Sequence, residues 1–326
     1  MPIIQRSRAN IEDFQDTMIN YRVAIILAYF NGCSFIEEQV NSIFRQTHQN
    51  FHVFLWDDAS SHEFCINSLS LDKEQTSKLS VGVRPENIGV SKNFINAMAN
   101  LGDGFDYFAF CDQDDIWHED KIEKAVAKLN LISADVPALY CGRTEIVDST
   151  CEKSLGPSSL FCKPPSFENA LVQNIAGGNT MLFNKVAKEL IVKASVNVDV
   201  VSHDWWSYLL VTGFGGRVIY DQEPCLKYRQ HSNNVIGENK SRTASFLRFR
   251  KVLQGKFLSW NDINIKALEK NRELLTEGNQ DVLNQIIEAR KSSLFKRVML
   301  FRRSGIHRQT FMGNIGLLLG ILLNKV

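Results

Sequence analysis

Residues 108–117, Phe-Ala-Phe-Cys-Asp-Gln-Asp-Asp-Ile-Trp, constrain this chain more than any other stretch. The apolar half, Phe108 to Cys111, reads as a strand buried on both faces. It runs directly into Asp112, Asp114 and Asp115. Carboxylates crowded at the end of a buried strand repel one another, and at neutral pH a cation among them relieves that repulsion. Oxygen ligands at this spacing suit magnesium or manganese, hard cations that keep positions open for substrate phosphates. Open α/β sheets also bind ligands at the carboxyl ends of their strands. A plainer reading stays open, in which the aspartates cap a helix whose first buried positions are Ile116 and Trp117.

The flanking sequence repeats the theme. Val23 to Phe30 is a near-continuous apolar run ending in the turn signal Asn31-Gly32. Ser34 followed by Glu37 has the form of a capping box opening a helix. Phe51 to Trp56 predicts a second strand that ends in Asp57-Asp58-Ala59-Ser60, and Leu79 to Val83 a third. Ser91 is placed to cap a helix carrying Phe94, Ile95 and Met98. Strand and helix alternate, as βαβ units on a parallel sheet require. Beyond residue 118 the alternation loosens. The pattern predicts a helix near Asp120–Ile132, a strand over Ala138–Val147, and an irregular, mobile Ser/Pro/Cys-rich loop over 149–166. It then gives a short strand from Thr180 to Phe183, a helix from Asp204 to Val211, and separate strands at Arg217–Tyr220 and Cys225–Tyr228. From about Thr243 the apolar spacing is helical to the end, with positions such as Phe246, Leu247 and Leu253. Gly237 and the polar run Glu238–Ser241 mark a linker near 236–242. The expected division is an extension over 1–20, an α/β domain over 21–236 and a helical region over 243–326.

At 326 residues, 44% hydrophobic and 22% charged, the chain has the make-up of a globular protein. Its seven cysteines are odd in number, scattered and without metal-type spacing, which favours a reducing, cytoplasmic setting. The N-terminus lacks a signal-peptide pattern, and no apolar stretch reaches the roughly 18–20 residues needed to span a bilayer.

Taken in order, these motifs resemble the family 2 glycosyltransferases of GT-A fold over roughly residues 21–235. The strand Val23 to Asn31 looks like that family's opening strand. Asp57-Asp58-Ala59-Ser60 resembles its D-D-G-S turn, with alanine for glycine. Asn87-Ile88-Gly89 followed by Asn93 resembles its N-x-G loop and helix, and Asp112-Gln113-Asp114 its D-x-D metal motif. His203-Asp204 resembles the family's E-D pair with histidine in place of the first acid. The run Asp-Gln-Asp-Asp-Ile-Trp, with Tyr228-Arg229-Gln230-His231 later, looks most like bacterial rhamnosyl- and glucosyltransferases of surface-polysaccharide synthesis. The resemblance implies a nucleotide-sugar site formed by Tyr29, Asn31, Asp57, Asp58, Asn87, Asn93, Asp112, Gly178 and Arg229. It further implies Mn2+ or Mg2+ on Asp114 and His231, and Asp204 as catalytic base. A lipid-diphosphate-linked saccharide is the implied acceptor, with no nucleic acid partner.

That chemistry suits these residue types. A divalent cation bridging the diphosphate offsets charge on the leaving group. Asp57 or Asp58 would accept a pyrimidine N–H, which fits uridine or thymidine donors. An inverting transfer needs one base for the acceptor hydroxyl, a role for Asp204; as an alternative, Asp204 is an N-cap. Gly177-Gly178-Asn179 permits close backbone approach, or is a plain turn. Arg229 and His231 alternate along a strand and so face one side. Of Trp205 and Trp206, one is expected to be buried. Rival readings are a nucleotidyltransferase, although the basic Gly-rich loop after the first strand is missing, and a non-catalytic membrane-surface adaptor.

After Glu288 there is no acidic side chain, while eight basic residues follow, from Arg290 to Lys325. They alternate with apolar residues before the run Gly316–Leu323. That pattern suits an amphipathic segment lying on an anionic membrane surface, at the inner face of the cell membrane. The alternative is a helix packed back on the domain.

Overall fold

The computed structural model describes residues 20–62, 69–231 and 256–326. The linker expected at 236–242, the apolar positions at 246, 247 and 253, and nearly all of the N-terminal extension lie outside them.

In chain order the elements are β1 (Val23–Tyr29), α1 (Ile36–Phe44), β2 (Phe51–Asp57), α2 (Lys73–Ser77), β3 (Leu79–Val83), α3 (Val90–Ala99) and β4 (Tyr107–Cys111). Then come β5 (Ile116–Trp117), α4 (Lys121–Leu129), β6 (Ala138–Val147), β7 (Ser154–Pro157), α5 (Phe167–Ala170), a 3-10 turn (Gly178–Thr180), β8 (Leu182–Asn184) and α6 (Lys185–Ala194). The chain continues through α7 (His203–Gly213) and β9 (Arg217–Arg229) to four helices: α8 (Lys256–Lys270), α9 (Glu277–Arg290), α10 (Leu294–Arg303) and α11 (Phe311–Leu322).

The strand order is β3-β2-β1-β4-β8-β6-β9-β5, with β7 on β6. The first four strands are parallel, in a register that sets Tyr29 beside Asp57 and Leu27 beside Cys111. Their carboxyl ends therefore share one edge, and all the strand-end motifs collect there. Alternate residues of β1 enter opposite cores. Ala24 and Ile26 join α3, α7 and the C-terminal helices on one face, while Val23, Ile25 and Leu27 meet α1 and α4 on the other. Burial on both faces explains why the strand reads as an unbroken apolar run.

Past β4 the sheet is mixed. β8 runs antiparallel to β4 and β6, β6 is parallel to β9, and the end of β9 pairs antiparallel with β5. Only Asp112–Asp115 separate β4 from β5, yet the two strands lie far apart in the strand order. The sheet must curl, and the acidic turn spans the mouth of the curl. Ser42 on α1 fixes that closure by accepting from the Trp117 amide at 3.0 Å.

Several local expectations are corrected. Ile116 and Trp117 form a strand, not a helix start. No capping box forms at Ser34; α1 begins at Ile36 out of a backbone turn on the Gly32 carbonyl. Ser91 does not cap α3, which starts after Gly89, because its hydroxyl accepts from the His203 amide at 3.2 Å. The irregular loop contains β7, Thr180 ends a 3-10 turn, and the two strands expected after residue 216 are one 13-residue strand with register shifts against β6. Both Trp205 and Trp206 are buried.

Candidate active site

The first acidic pair is tied into the backbone. Asp58 accepts from the amides of Ile88 and Gly89 at 2.9 and 2.8 Å, one on each oxygen, and Asn87 donates back to the Asp58 carbonyl at 3.1 Å. The second strand end and the Asn87-Ile88-Gly89 loop are thus one unit. Asp57 Oδ1 accepts from both the amide and hydroxyl of Ser60, at 2.9 and 2.6 Å. The Ser60 hydroxyl in turn accepts from the Asn31 amide, and Asn31 Oδ1 accepts from Ser61. Ala59 makes this turn possible only in the left-handed region, at φ 58°. Asn93 is buried, donating to the Trp56 carbonyl at 2.9 Å and accepting from Arg84, whose guanidinium lies over the Trp56 ring. Asp57 and Asp58 are both buried, and Asp58, with each oxygen on a backbone amide, braces the cleft. Tyr29 packs beneath, its hydroxyl held protonated by burial and by Cys33 and Asp57.

The second acidic cluster is differently placed. Gln113, between the two aspartates, clamps the end of β1: its Oε1 accepts from the Phe30 amide at 2.8 Å and its Nε2 donates to the Phe30 carbonyl at 3.1 Å. Gly32 lies opposite it, and a Cβ there would stand 2.3 Å from the Gln113 carboxamide, so a side chain at this position would displace the clamp. Asp114 pairs with His231 Nε2 at 2.8 Å. Arg229 and His231 do face one side, and both stack on Phe35. The Arg229 guanidinium is buried, however, and donates to the carbonyls of Asp114 (3.0 Å) and Ser149 (2.8 Å) and to Glu38. It holds the acidic turn from behind, with three of its five N–H donors engaged in these bonds. Asp115 is buried, accepts from Asn179 at 2.5 Å, and leaves its other oxygen without a partner. Burial, then Asp114 and Asp204, pushes the Asp112 carboxyl up to about 8. Burial and the same crowding raise Asp115 well above the usual carboxylate range.

The third group sits at the start of α7. Asp204 accepts from Asn174 Nδ2 at 2.9 Å and from the Trp205 amide at 2.7 Å, and its charge reaches Asp112. His203 is buried with neither ring nitrogen hydrogen-bonded; its ring stacks on Phe94 at 4.2 Å and meets Phe110 edge-on. Burial lowers its proton affinity despite Asp204. Gly178 has no side chain because a Cβ would stand 2.5 Å from His203 Nε2. The close approach that glycine permits is to this histidine.

Carboxylate oxygens with one imidazole are the donor chemistry of a hard divalent cation, and the mutual repulsion of Asp112, Asp114 and Asp115 is what such a cation would relieve. The residues fit the group, although among the described residues no three metal-type side chains are already gathered as a cage. Gln113, Asn174, Glu38 and Phe35 went unnoticed as site-forming residues, and Asn179 was noticed only as part of the Gly177-Gly178-Asn179 turn. The one signal available was an amide, Gln113, set in the middle of an acidic run.

A curled α/β sheet with an acidic turn at its mouth and a carboxylate facing that turn from a neighbouring helix defines a nucleotide-sugar glycosyltransferase of GT-A fold. The profile of glycosyl transferase family 2 matches residues 24–190, and the chain belongs to that family. The dTDP-rhamnosyl transferase RfbG of Shigella flexneri is 30% identical over 238 residues, covering 69% of this chain and 78% of its own length. The putative teichuronic acid biosynthesis glycosyltransferase TuaG of Bacillus subtilis is 25% identical over 232 residues, covering 70% and 86%. In structure, residues 1–349 of S. aureus TarS in complex with UDP superpose with a TM-score of 0.52 at 15% identity, over 87% of this chain and 90% of that one. This last likeness concerns the fold alone.

Proposed function

We propose that this chain is an inverting, metal-dependent transferase. It would move a sugar of rhamnose or glucose/galactose type from a UDP- or dTDP-sugar to a hydroxyl of a lipid-diphosphate-linked saccharide in surface-polysaccharide (O-antigen-like) synthesis. The observation that carries this is the placement of Asp204, anchored by Asn174, within electrostatic reach of Asp112 in the acidic turn. The name of the relative RfbG supports a dTDP donor, and the names of RfbG and TuaG support a polysaccharide product.

In this reading Asp114 and His231 hold Mn2+ or Mg2+, which when bound supplies charge compensation for the leaving diphosphate. Asp112 would serve the donor ribose or the metal. The base is met near the Tyr29, Asn31 and Asp57 end of the same edge, with Asn87, Asn93 and Gly178 shaping the walls. The acceptor oxygen attacks the anomeric carbon from the face opposite the diphosphate. As the new carbon–oxygen bond forms and the bond to diphosphate breaks, the hydroxyl proton passes to Asp204. The enzyme would work in the cytoplasm, peripherally at the inner face of the cell membrane. No described helix is long and apolar enough to cross a membrane.

Donor hydrolysis by the purified protein against a panel of UDP-, dTDP- and GDP-sugars, with and without divalent cation, tests the reading. Cation-dependent turnover of one pyrimidine donor is expected; neither turnover nor binding with any of them would remove it.

A further inference from the structure

The C-terminal helices hold apolar side chains in solvent to a degree that no other part of the described residues approaches. Among the described residues, ten of the nineteen exposed large hydrophobics fall between Leu294 and Leu323, so this exposure is concentrated and not scattered. On α11, Phe311, Ile315, Leu318 and Leu322 repeat at helical spacing as one outward stripe, and Phe311 is 79% exposed. On α10, Phe295 is 84% exposed, with Met299 one turn on. The opposite faces are settled: Leu300, Phe301, Leu317 and Ile321 are buried in the main core. The helices pack back on the domain, one of the two alternatives left by the sequence, and are apolar outside as well. α11 contains no charged residue. A helix in contact with water alone would turn its polar side out.

We propose that the outer face of α10 and α11 seats on an anionic bilayer surface. Charge selects this occupant over a second copy of the chain. No acid follows Glu288, and Lys291, Arg302 and Arg303 are exposed with no carboxylate partner among the described residues. A self-complementary contact through this face would set those cations against their own copies, whereas acidic lipid headgroups neutralise them while the apolar stripe enters the acyl boundary.

The face is also strapped to the acceptor side of the cleft. The connector between α10 and α11 is bonded to residues 163–173. Gln309 accepts from the Lys163 amide and donates to its carbonyl, at 2.9 and 3.0 Å, and its own amide donates to Gln173 at 2.8 Å. Asn169 donates to the His307 carbonyl, and the Arg308 guanidinium donates to the Val172 carbonyl, both at 3.0 Å. The next residue, Asn174, is the one that holds Asp204. A docked face would therefore fix the height of Asp204 above the bilayer and favour acceptors held at that surface. This second step rests on the glycosyl-transfer reading; the seat itself does not.

The test uses the full chain and vesicles of phosphatidylcholine with or without about 30% phosphatidylglycerol. The protein should sediment with the anionic vesicles at low salt and not with phosphatidylcholine alone. Phe311→Glu/Met312→Glu and Arg302→Glu/Arg303→Glu should each weaken partitioning about tenfold or more, with unchanged thermal midpoints because these side chains are solvent-exposed. Failure of the unaltered protein to sediment, or sedimentation indifferent to both double variants, overturns the seat. So does light scattering that finds an oligomer split by Phe311→Glu/Met312→Glu, which would give the face to a second copy. If vesicle binding behaves as expected and no sugar nucleotide is turned over, the seat stands and the transfer reading falls. For the strap, Gln309→Ala should leave vesicle binding intact and lower turnover of a lipid-linked acceptor more than that of a soluble one. Equal loss on both acceptors overturns the coupling.

Discussion

The two acidic strand ends carry the same residue type and are used in opposite ways. At the end of β2, Asp57 and Asp58 accept hydrogen bonds from Ser60, Ile88 and Gly89, so their charges are met by amides and a hydroxyl of the fold itself. At the end of β4, Asp112 and Asp115 face one another and Asp114 with fewer donors, and burial and mutual repulsion lift Asp112 to about 8. A carboxylate that the backbone satisfies stabilises the fold; one left to repel its neighbours is stabilised only by what binds. Asp58, with both oxygens on backbone amides, should therefore behave as structure and the second cluster as function.

The sharpest test of that division is Asp114→Asn. Loss of the charge next to His231 should lower turnover by about a thousandfold or more while the thermal midpoint stays near that of the parent, because no part of the fold depends on the charge. Initial rates at saturating cation and a melting curve read both halves. Retained turnover would put the cation elsewhere. Asp204→Asn should cost about 10²- to 10⁴-fold in turnover, the range for a positioned base, and spare donor affinity measured by calorimetry. Lost nucleotide binding would make Asp204 a donor-site residue.

The reverse behaviour is expected at the braced pair. Asp58→Ala removes two charge-assisted bonds and leaves the half-buried Ile88 and Gly89 amides without their acceptor, so urea unfolding should record a loss of about 2 kcal/mol. A stable variant with weak donor binding would move Asp58 into the binding site and erase the contrast.

A milder effect is expected from pH. With Asp112 raised from its unfolded value of 3.8 to about 8, the folded protein binds more protons than the unfolded one between those values. The contribution of this group to stability is present at low pH and is lost as pH climbs through about 8. A bound cation replaces the proton. Added Mn2+ should thus raise the thermal midpoint more at pH 8 than at pH 5.5, and an equal rise at both would mean that Asp112 is not relieved by the ion.

What was legible in the sequence follows from the same physics. β1 and β4 are buried on both faces, and their unbroken apolar runs show their extent within a residue or so. The acids that end β2 and β4 were equally plain. Neighbours supplied by tertiary contact were not. Ser91 has the chemistry of a cap but is drawn to the His203 amide, and Ile116-Trp117 is a strand only because the end of β9 arrives beside it. The commitment of the Arg229 guanidinium to Asp114, Ser149 and Glu38 depends on three segments that no local pattern connects. The one capping box among the described residues, Asp72 with Gln75, carries no apolar periodicity to draw attention to it.

The smallest expected effect lies inside the braced pair. Ala59 follows Asp58 with φ 58°, a left-handed conformation that glycine adopts without strain and alanine does not. The turn cannot relax, because the Ser60 hydroxyl is fixed to Asp57 on one side and to the Asn31 amide on the other. Ala59→Gly should then stabilise the protein by about 1 kcal/mol, the relief of the backbone exceeding the extra freedom glycine brings to the unfolded chain. Ala59→Val should destabilise it by more than that, since a β-branched residue is poorest in this region. Turnover should change less with glycine than stability does, because the bonds that hold Asp57, Ser60 and Asn31 do not involve the Ala59 side chain. If glycine proves less stable than alanine, the methyl group of Ala59 is packing to a degree that outweighs the strain. If glycine instead changes donor affinity, the braced turn is part of the binding site after all.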